Sequence, residues 1–355
     1  HRDGIKKDGS LLIIGNGEDG KEWQFKNVFH QRLPKTIVCV NVAKNTKESV
    51  SQVISTNMAA ISSATTGVHE ESVESLDDIP SIIKKAVDSF TGGKGFDDII
   101  VLGDSEPQTL VTAGDSMCQY GILNYMATTD EPQHVDLDAG KVHYDQISFV
   151  GSLENDVKNP YIDNLDYSLK GDSVILFGTG GPMGQMHIQL IMENPTPPKI
   201  VIATDIAEDR LNVLKENFEP LANEKGIKYY ALNPNDFSSP EAFRKEIMRI
   251  NGGKLFDYVV CLAAIPAVIE DAASYLGDRA ILNIFAGVSK GTIANLNIKD
   301  AAAKSVRYIG SSGSTLSDMV YTLRRVEDSG LNTDSSVAGV AGMNDVWNGI
   351  DAVRT

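Results

Sequence analysis

The most chemically suggestive residues are the glycines of Gly178-Thr179-Gly180-Gly181-Pro182-Met183-Gly184 and the carboxylate of Asp205. A nucleotide diphosphate crossing the end of a strand needs hydrogen-bond donors and no side-chain bulk. Glycines permit that approach, and the N-terminus of a following helix offers free N–H groups. An acid about 20 residues further on can accept both hydroxyls of a ribose. Asp205 stands 21 positions beyond Gly184. The expected ligand is therefore a dinucleotide, with NAD favoured over NADP because a 2′-phosphate would meet the Asp205 charge. The loop reads GxGxxxG, one residue longer than the common GxGxxG. Its context carries the assignment: the apolar run Val174-Ile175-Leu176-Phe177 precedes it, a helix opening at Pro182 follows, and Ile200-Val201-Ile202-Ala203-Thr204 leads to the acid.

Open parallel sheets bind ligands along the C-terminal ends of their strands. That rule adds Ala263, Ala264, Phe285, Ala286, Gly287 and Ser312 to Gly178, Thr179, Gly180, Gly181, Pro182, Met183, Gly184 and Asp205 as expected cofactor contacts, and Arg210, five positions past the acid, is counted with them. His187, one helical turn past the loop, is read as structural. His143-Tyr144 invites an acid-base reading but is expected to be a strand pair. Met183, Met186 and Met192 are read as helix packing. No catalytic residue is assigned. The six histidines form no HExxH or other short ligand cluster, and Cys39, Cys118 and Cys261 have no metal-ligand spacing, so no metal site is expected in the chain.

The elements that must position these residues occur twice. Buried-strand runs alternate with amphipathic helical stretches in both halves, the order of a parallel sheet covered on both faces. Gly20 to Asn41 spans the same 21 positions as Gly184 to Asp205. Pro34-Lys35 recurs as Pro198-Lys199. Gly92-Gly93-Lys94 recurs as Gly252-Gly253-Lys254, and Ile122-Leu123-Asn124 as Ile281-Leu282-Asn283. Phe149-Val150-Gly151-Ser152 then recurs as Tyr308-Ile309-Gly310-Ser311, 159 positions on. The fold class expected is α/β, with two tandem doubly wound parallel-sheet Rossmann domains. Residues 1–155 form a degenerate copy, 156–170 a linker without sustained periodicity, and 171–355 the NAD(P)-binding copy. The first copy carries Glu18 and Asp19 where a phosphate would lie, and Asn41 in place of the acid. Carboxylates there repel a pyrophosphate, so this copy is expected to be silent.

Hydrophobic residues make up 42% of the chain and the formal charge is -16. That charge repels phosphate backbones and anionic lipid, arguing against nucleic acid and membrane surfaces as partners. No apolar run is long enough to span a bilayer and no signal peptide is visible, so a cytoplasmic protein acting on a small-molecule substrate is expected.

The glycine loop with Gln185-Met186-His187, Asp205 with Arg210-Leu211, Phe285-Ala286-Gly287 and Gly310-Ser311-Ser312-Gly313-Ser314 together resemble the medium-chain dehydrogenases. Within them the sequence is most similar to the sugar-phosphate and polyol branch typified by L-sorbose 1-phosphate reductase. The resemblance covers residues 171–355 well and the first copy more faintly. It implies zinc-dependent, NAD(P)-linked interconversion of a secondary alcohol and a ketone. In that family the zinc ligands and most substrate contacts belong to a separate barrel-like domain. No such part is recognisable here, so the chain reads as the cofactor-binding portion of a longer enzyme. Zinc is expected only if that part is present. Family members pair their cofactor domains edge to edge, so the extra copy is expected to imitate a subunit neighbour, with sheet edges also available for a homo-oligomer. Two other classes stay open: a non-catalytic tandem nucleotide-binding scaffold, and a methyltransferase, against which Leu262-Ala263-Ala264-Ile265-Pro266 lacks the Asn/Asp-Pro-Pro turn of amino-methylating enzymes. A short-chain dehydrogenase is disfavoured because no tyrosine has a lysine four residues on.

Overall fold

The structure, a computed structural model, describes residues 3–17, 21–30, 32–60, 66–71, 73–163, 171–333, 337 and 339–354. Glu18 and Asp19, expected to repel phosphate, lie outside them.

The first half runs β1 (Ser10–Gly15), β2 (Thr36–Val40), α1 (Lys44–Ala60), β3 (Gly67–Glu71), α2 (Ile79–Thr91), β4 (Phe96–Leu102), α3 (Pro107–Asp115), β5 (Met117–Met126), β6 (His134–Asp138), α4 (Ala139–Asp145), β7 (Ser148–Ser152) and α5 (Asn159–Asp163). The second runs β8 (Ser173–Phe177), α6 (Pro182–Met192), β9 (Ile200–Thr204), α7 (Glu208–Lys225), β10 (Lys228–Leu232), α8 (Pro240–Ile250), β11 (Phe256–Cys261), α9 (Pro266–Ala273), β12 (Leu276–Ile284), β13 (Ile293–Asn297), α10 (Lys299–Ala303) and β14 (Arg307–Gly310). Two further helices follow, α11 (Leu316–Glu327) and α12 (Val346–Arg354).

Twelve strands make one sheet in the order β10-β9-β8-β11-β12-β14-β7-β5-β4-β1-β2-β3. Each half taken alone has the order 3-2-1-4-5-6, the doubly wound Rossmann arrangement. Neighbours are parallel except at the centre, where β14 meets β7 antiparallel with Tyr308 opposite Phe149. Beside it β13 and β6 pair antiparallel, with Asn295 opposite Asp136. Both facing pairs are 159 positions apart, the offset of the internal repeat, so each is a residue paired with its own counterpart. A pseudo-two-fold axis passes through both, the isologous geometry of a symmetric dimer built inside one chain.

The central strands are apolar on both faces because helices cover both. One core runs along a single face through both halves, from Leu12 and Val38 through Phe149 and Tyr308 to Ile202. The opposite face carries separate clusters, one around Trp23, Phe25 and Phe29 and one around Leu176, Ile188 and Phe218.

Local signals place the second-half helices. Ser239 caps α8, its Oγ accepting from the Ala242 N–H at 3.2 Å, and Pro240 occupies the first turn. The buried stripe of α7 is Leu211, Leu214, Phe218 and Ala222, with Leu221 packing at its edge.

Four expectations are corrected. Between β1 and β2 the described residues contain no helix: residues 21–30 make turns whose Trp23, Phe25, Val28 and Phe29 are buried against the sheet. The segment 156–163 is not a free linker, because Val157 and Tyr161 are fully buried and α5 closes over the first-half sheet. His143 and Tyr144 lie on α4, not on a strand. Of the three methionines read as helix packing only Met192 is buried, while Met183 and Met186 face outward. No helix among the described residues is long and apolar enough to cross a membrane.

Candidate cofactor site

The C-terminal ends of β8 and β11 diverge at the switch point of the second half, since the chain goes from β8 to β9 on one side and β11 lies on the other. Gly178 and Thr179 leave β8 with their N–H groups bonded to the Thr204 carbonyl, at 2.9 and 3.0 Å. The Thr179 side chain is fully buried and donates to the same carbonyl, so it supports the loop from beneath. The Gly180 N–H donates to Asp205 Oδ2 at 2.7 Å, and Asp205 Oδ1 accepts from the Ala207 N–H at 3.0 Å. Each carboxylate oxygen keeps a second lone pair for an incoming donor.

Two glycines have no substitute. A Cβ on Gly180 would stand 2.8 Å from both Asp205 Oδ2 and the Arg210 side chain. One on Gly184 would stand 2.1 Å from the Thr179 carbonyl oxygen, so that glycine lets α6 press against its own loop. Gly181 caps α6 without a side-chain hydrogen bond, leaving the first turn of the helix open to an acceptor.

Beside this loop lies a cavity of about 690 Å³, within the ordinary range for a small-molecule site. Of the expected contacts, Gly178, Asp205, Arg210 and Ala263 line it. Sequence reasoning missed Ile206, Asn235, Phe237, Phe243 and Ile265, which complete it. For Asn235, Phe237 and Phe243 the signal lay in the Pro234 and Pro240 punctuation after β10, where a short 3-10 turn and then α8 follow the strand end. Ile206 and Ile265 are 69% and 54% exposed, apolar side chains left uncovered at the cavity.

The remaining expected contacts divide. Ala264, Phe285, Gly287 and Ser312 sit on loops after β11, β12 and β14, while the Ala286 side chain turns away and is fully buried in the core. Pro182 and Met183 are exposed at the start of α6. Phe285 lies between two imidazoles, His187 at 4.4 Å and His143 at 5.7 Å between ring centroids. His187 Nδ1 faces the Met183 carbonyl oxygen at 2.7 Å, so it must be the protonated nitrogen. Burial lowers the pKa of both histidines. It raises the thiols of Cys39 and Cys261 to about 12, which makes them inert packing groups. Among the described residues no three His, Cys, Asp or Glu side chains converge as a metal site.

No model of a known protein family matches the chain. Mannitol-1-phosphate 5-dehydrogenase from Aliivibrio fischeri is 28% identical over 220 residues, 61% of this chain and 48% of that protein. L-sorbose 1-phosphate reductase from Klebsiella pneumoniae is 27% identical over 176 residues, 49% of this chain and 41% of that protein. The chain is similar to sugar-phosphate oxidoreductases. It spans about half the length of these curated relatives. Among solved structures, 2R,3R-butanediol dehydrogenase from Bacillus subtilis aligns over 49% of this chain and 44% of its own, with 17% identity and a TM-score of 0.37.

Among the described residues, side chains occupy the corresponding crevice of the first half. Asn41 turns its amide back onto the Gly15 carbonyl at 3.2 Å, and Asn16 occupies the space over Gly103. Lys299, reaching across from α10 and only 3% exposed, pairs with Asp104 and donates to the Tyr125 hydroxyl at 3.1 Å. The described residues leave about 50 Å³ there, too little for a nucleotide.

Proposed function

We propose that the second half binds NAD and forms the cofactor-binding part of an oxidoreductase that interconverts a secondary alcohol and a ketone, on a sugar-phosphate or polyol substrate. The observation that carries this reading is the Gly180–Asp205 hydrogen bond beside the 690 Å³ cavity. It sets a bulk-free phosphate cradle and a ribose-accepting carboxylate on adjacent strands, as a dinucleotide requires. The similarity to mannitol-1-phosphate 5-dehydrogenase and L-sorbose 1-phosphate reductase supports the substrate class.

In this reading Gly180, Gly181 and the uncapped first turn of α6 hold the pyrophosphate. Asp205 takes the adenosine ribose, and Ile206 and Ile265 flank the adenine. Arg210, exposed at the cavity, offers a cation to the ribose edge, while the Asp205 charge disfavours a 2′-phosphate. The nicotinamide, when bound, supplies or accepts hydride. It would extend past Ala263 and Ala264 toward Phe285 and Gly287, where small side chains leave room. No step is assigned to a metal, because the described residues offer no ligand set.

The filled crevice supports a silent first half that serves as a built-in subunit partner. Pairing β7 with β14 consumes the edge that would otherwise join two chains, leaving β3 and β10 as the outer edges.

Calorimetric titration with NADH, NADPH and S-adenosylmethionine tests the reading. One NADH per chain, bound more tightly than NADPH, is the expected result. Binding of S-adenosylmethionine alone would assign the site to methyl transfer, and binding of none would end the cofactor reading.

A further inference from the structure

The loop after β12 is held from both halves: the Phe285 N–H donates to the Cys261 carbonyl at 2.9 Å and His187 packs on its ring, and the other half of the chain adds a further set of contacts. The His143 Nδ1–H donates to the Ile284 carbonyl at 3.3 Å, and the imidazole edge packs on Phe285. The Gly291 N–H donates to Asp138 Oδ2 at 2.8 Å, and Lys290 pairs with Asp145 at 2.7 Å. From the same segment Gln146 Nε2 donates to the Ser312 carbonyl at 2.7 Å. The Tyr144 ring stands edge-on to His143 at 4.7 Å, and its hydroxyl lies 3.8 Å from where a Cβ on Gly287 would be. That ring is 43% exposed, and its hydroxyl has no hydrogen bond among the described residues.

This cluster sits where the second half of a dinucleotide must go. Asp205 fixes the adenosine on the β9 side of the glycine loop. Crossing the loop leads over β11 to β12, two strand spacings or about 10 Å from β8 and within the span of a dinucleotide. In the first half, Lys299 reaches across the axis in the same way, pairing with Asp104 and donating to the Tyr125 hydroxyl.

We propose that the first half completes the cofactor site of the second, with Tyr144 forming the wall at the nicotinamide end beside Gly287 and His143 acting as the positioning residue for the turn from Ile284 to Gly287. The proposal rests on the cofactor reading above. The His143 ring is buried and its pKa lowered by that burial, so it holds the turn as a neutral donor. Tyr144, half in solvent with a free hydroxyl, is the group that meets the ligand.

Binding of NADH and of ADP-ribose, which lacks nicotinamide, to the full chain separates the possibilities. Tyr144→Ala should weaken NADH about tenfold, the effect of one lost aromatic or hydrogen-bonded contact, and leave ADP-ribose within about twofold. His143→Leu should also weaken NADH selectively and shift the emission of bound NADH, whereas His143→Gln, which can still donate to the Ile284 carbonyl, should restore both. Equal weakening of the two ligands by Tyr144→Ala would show a merely structural role, and no change in either would place the nicotinamide elsewhere; both overturn the proposal. Failure of both ligands to bind the unaltered chain would instead overturn the cofactor reading beneath it.

Discussion

Two carboxylates, Asp205 after β9 and Asp104 after β4, stand in different surroundings. Asp205 orders its own loop through Gly180 and Ala207 and still faces the cavity. Asp205→Ala should weaken NADH about tenfold or more while NADPH loses less, because removing the carboxylate also removes the repulsion of a 2′-phosphate. Paired titrations check this, and equal losses would place the ribose elsewhere. Asp104 is spent on structure. Burial acts to raise its carboxyl, but hydrogen bonds from Lys299, Thr128 and Thr129, together with the Lys299 charge, outweigh it and hold the pKa at about 2. A depressed carboxyl adds stability that is fully present above its ordinary pKa of 3.8 and is lost as pH falls through about 2. Lys299→Met should cost about 2 kcal/mol near neutrality, less than the ~3–5 kcal/mol of a fully buried pair because Asp104 keeps a third of its surface in water. Denaturant titrations should show the gap between wild type and variant shrinking from pH 4 to pH 2. A gap independent of pH would mean that the pair contributes nothing.

Among the elements, the first crossover of each half is built differently. In the second half α6 follows the glycine loop and aims its open first turn at the crevice. In the first half the described residues between β1 and β2 bury Trp23, Phe25 and Phe29 instead, a layer that α5 helps to cover. The phenol of Tyr161 reaches through that layer to Asp98 Oδ1 at 3.3 Å, and the whole side chain is buried. Tyr161→Ala should therefore cost about 3–5 kcal/mol in chemical denaturation, as for other fully buried aromatic rings. A loss under about 1 kcal/mol would mean that α5 is a loosely attached connector after all.

At the scale of the molecule, the core on one face of the sheet passes through the β7–β14 seam without interruption. Thermal unfolding should therefore give one calorimetric transition, with calorimetric and van't Hoff enthalpies in agreement and Trp23 fluorescence following the same curve. Two separated peaks would show that the halves melt independently.

Much of this architecture is written locally. Apolar runs of four to six residues and the glycines after two of them determined the α/β class, the glycine loop and Asp205 as its acid, since each depends on neighbours within about 30 residues, and the recurring offset determined the internal repeat. The amide of Asn41 and the burial of Trp23 and Phe25 could be located in the sequence but not interpreted, because what fills the first crevice comes partly from Lys299, 195 residues from Asp104. That the Ala286 side chain lies in the core was not legible, because the sequence shows which loop a residue is in, not which way its side chain turns. The same limit hid His143 and Tyr144, whose neighbours Ile284, Phe285 and Gly287 lie about 140 residues away and meet them only when the two sheets join around the pseudo-two-fold axis. Local spacing determined which residues each half brings to its strand ends; the pairing of β7 with β14 decided which of them meet residues of the other half.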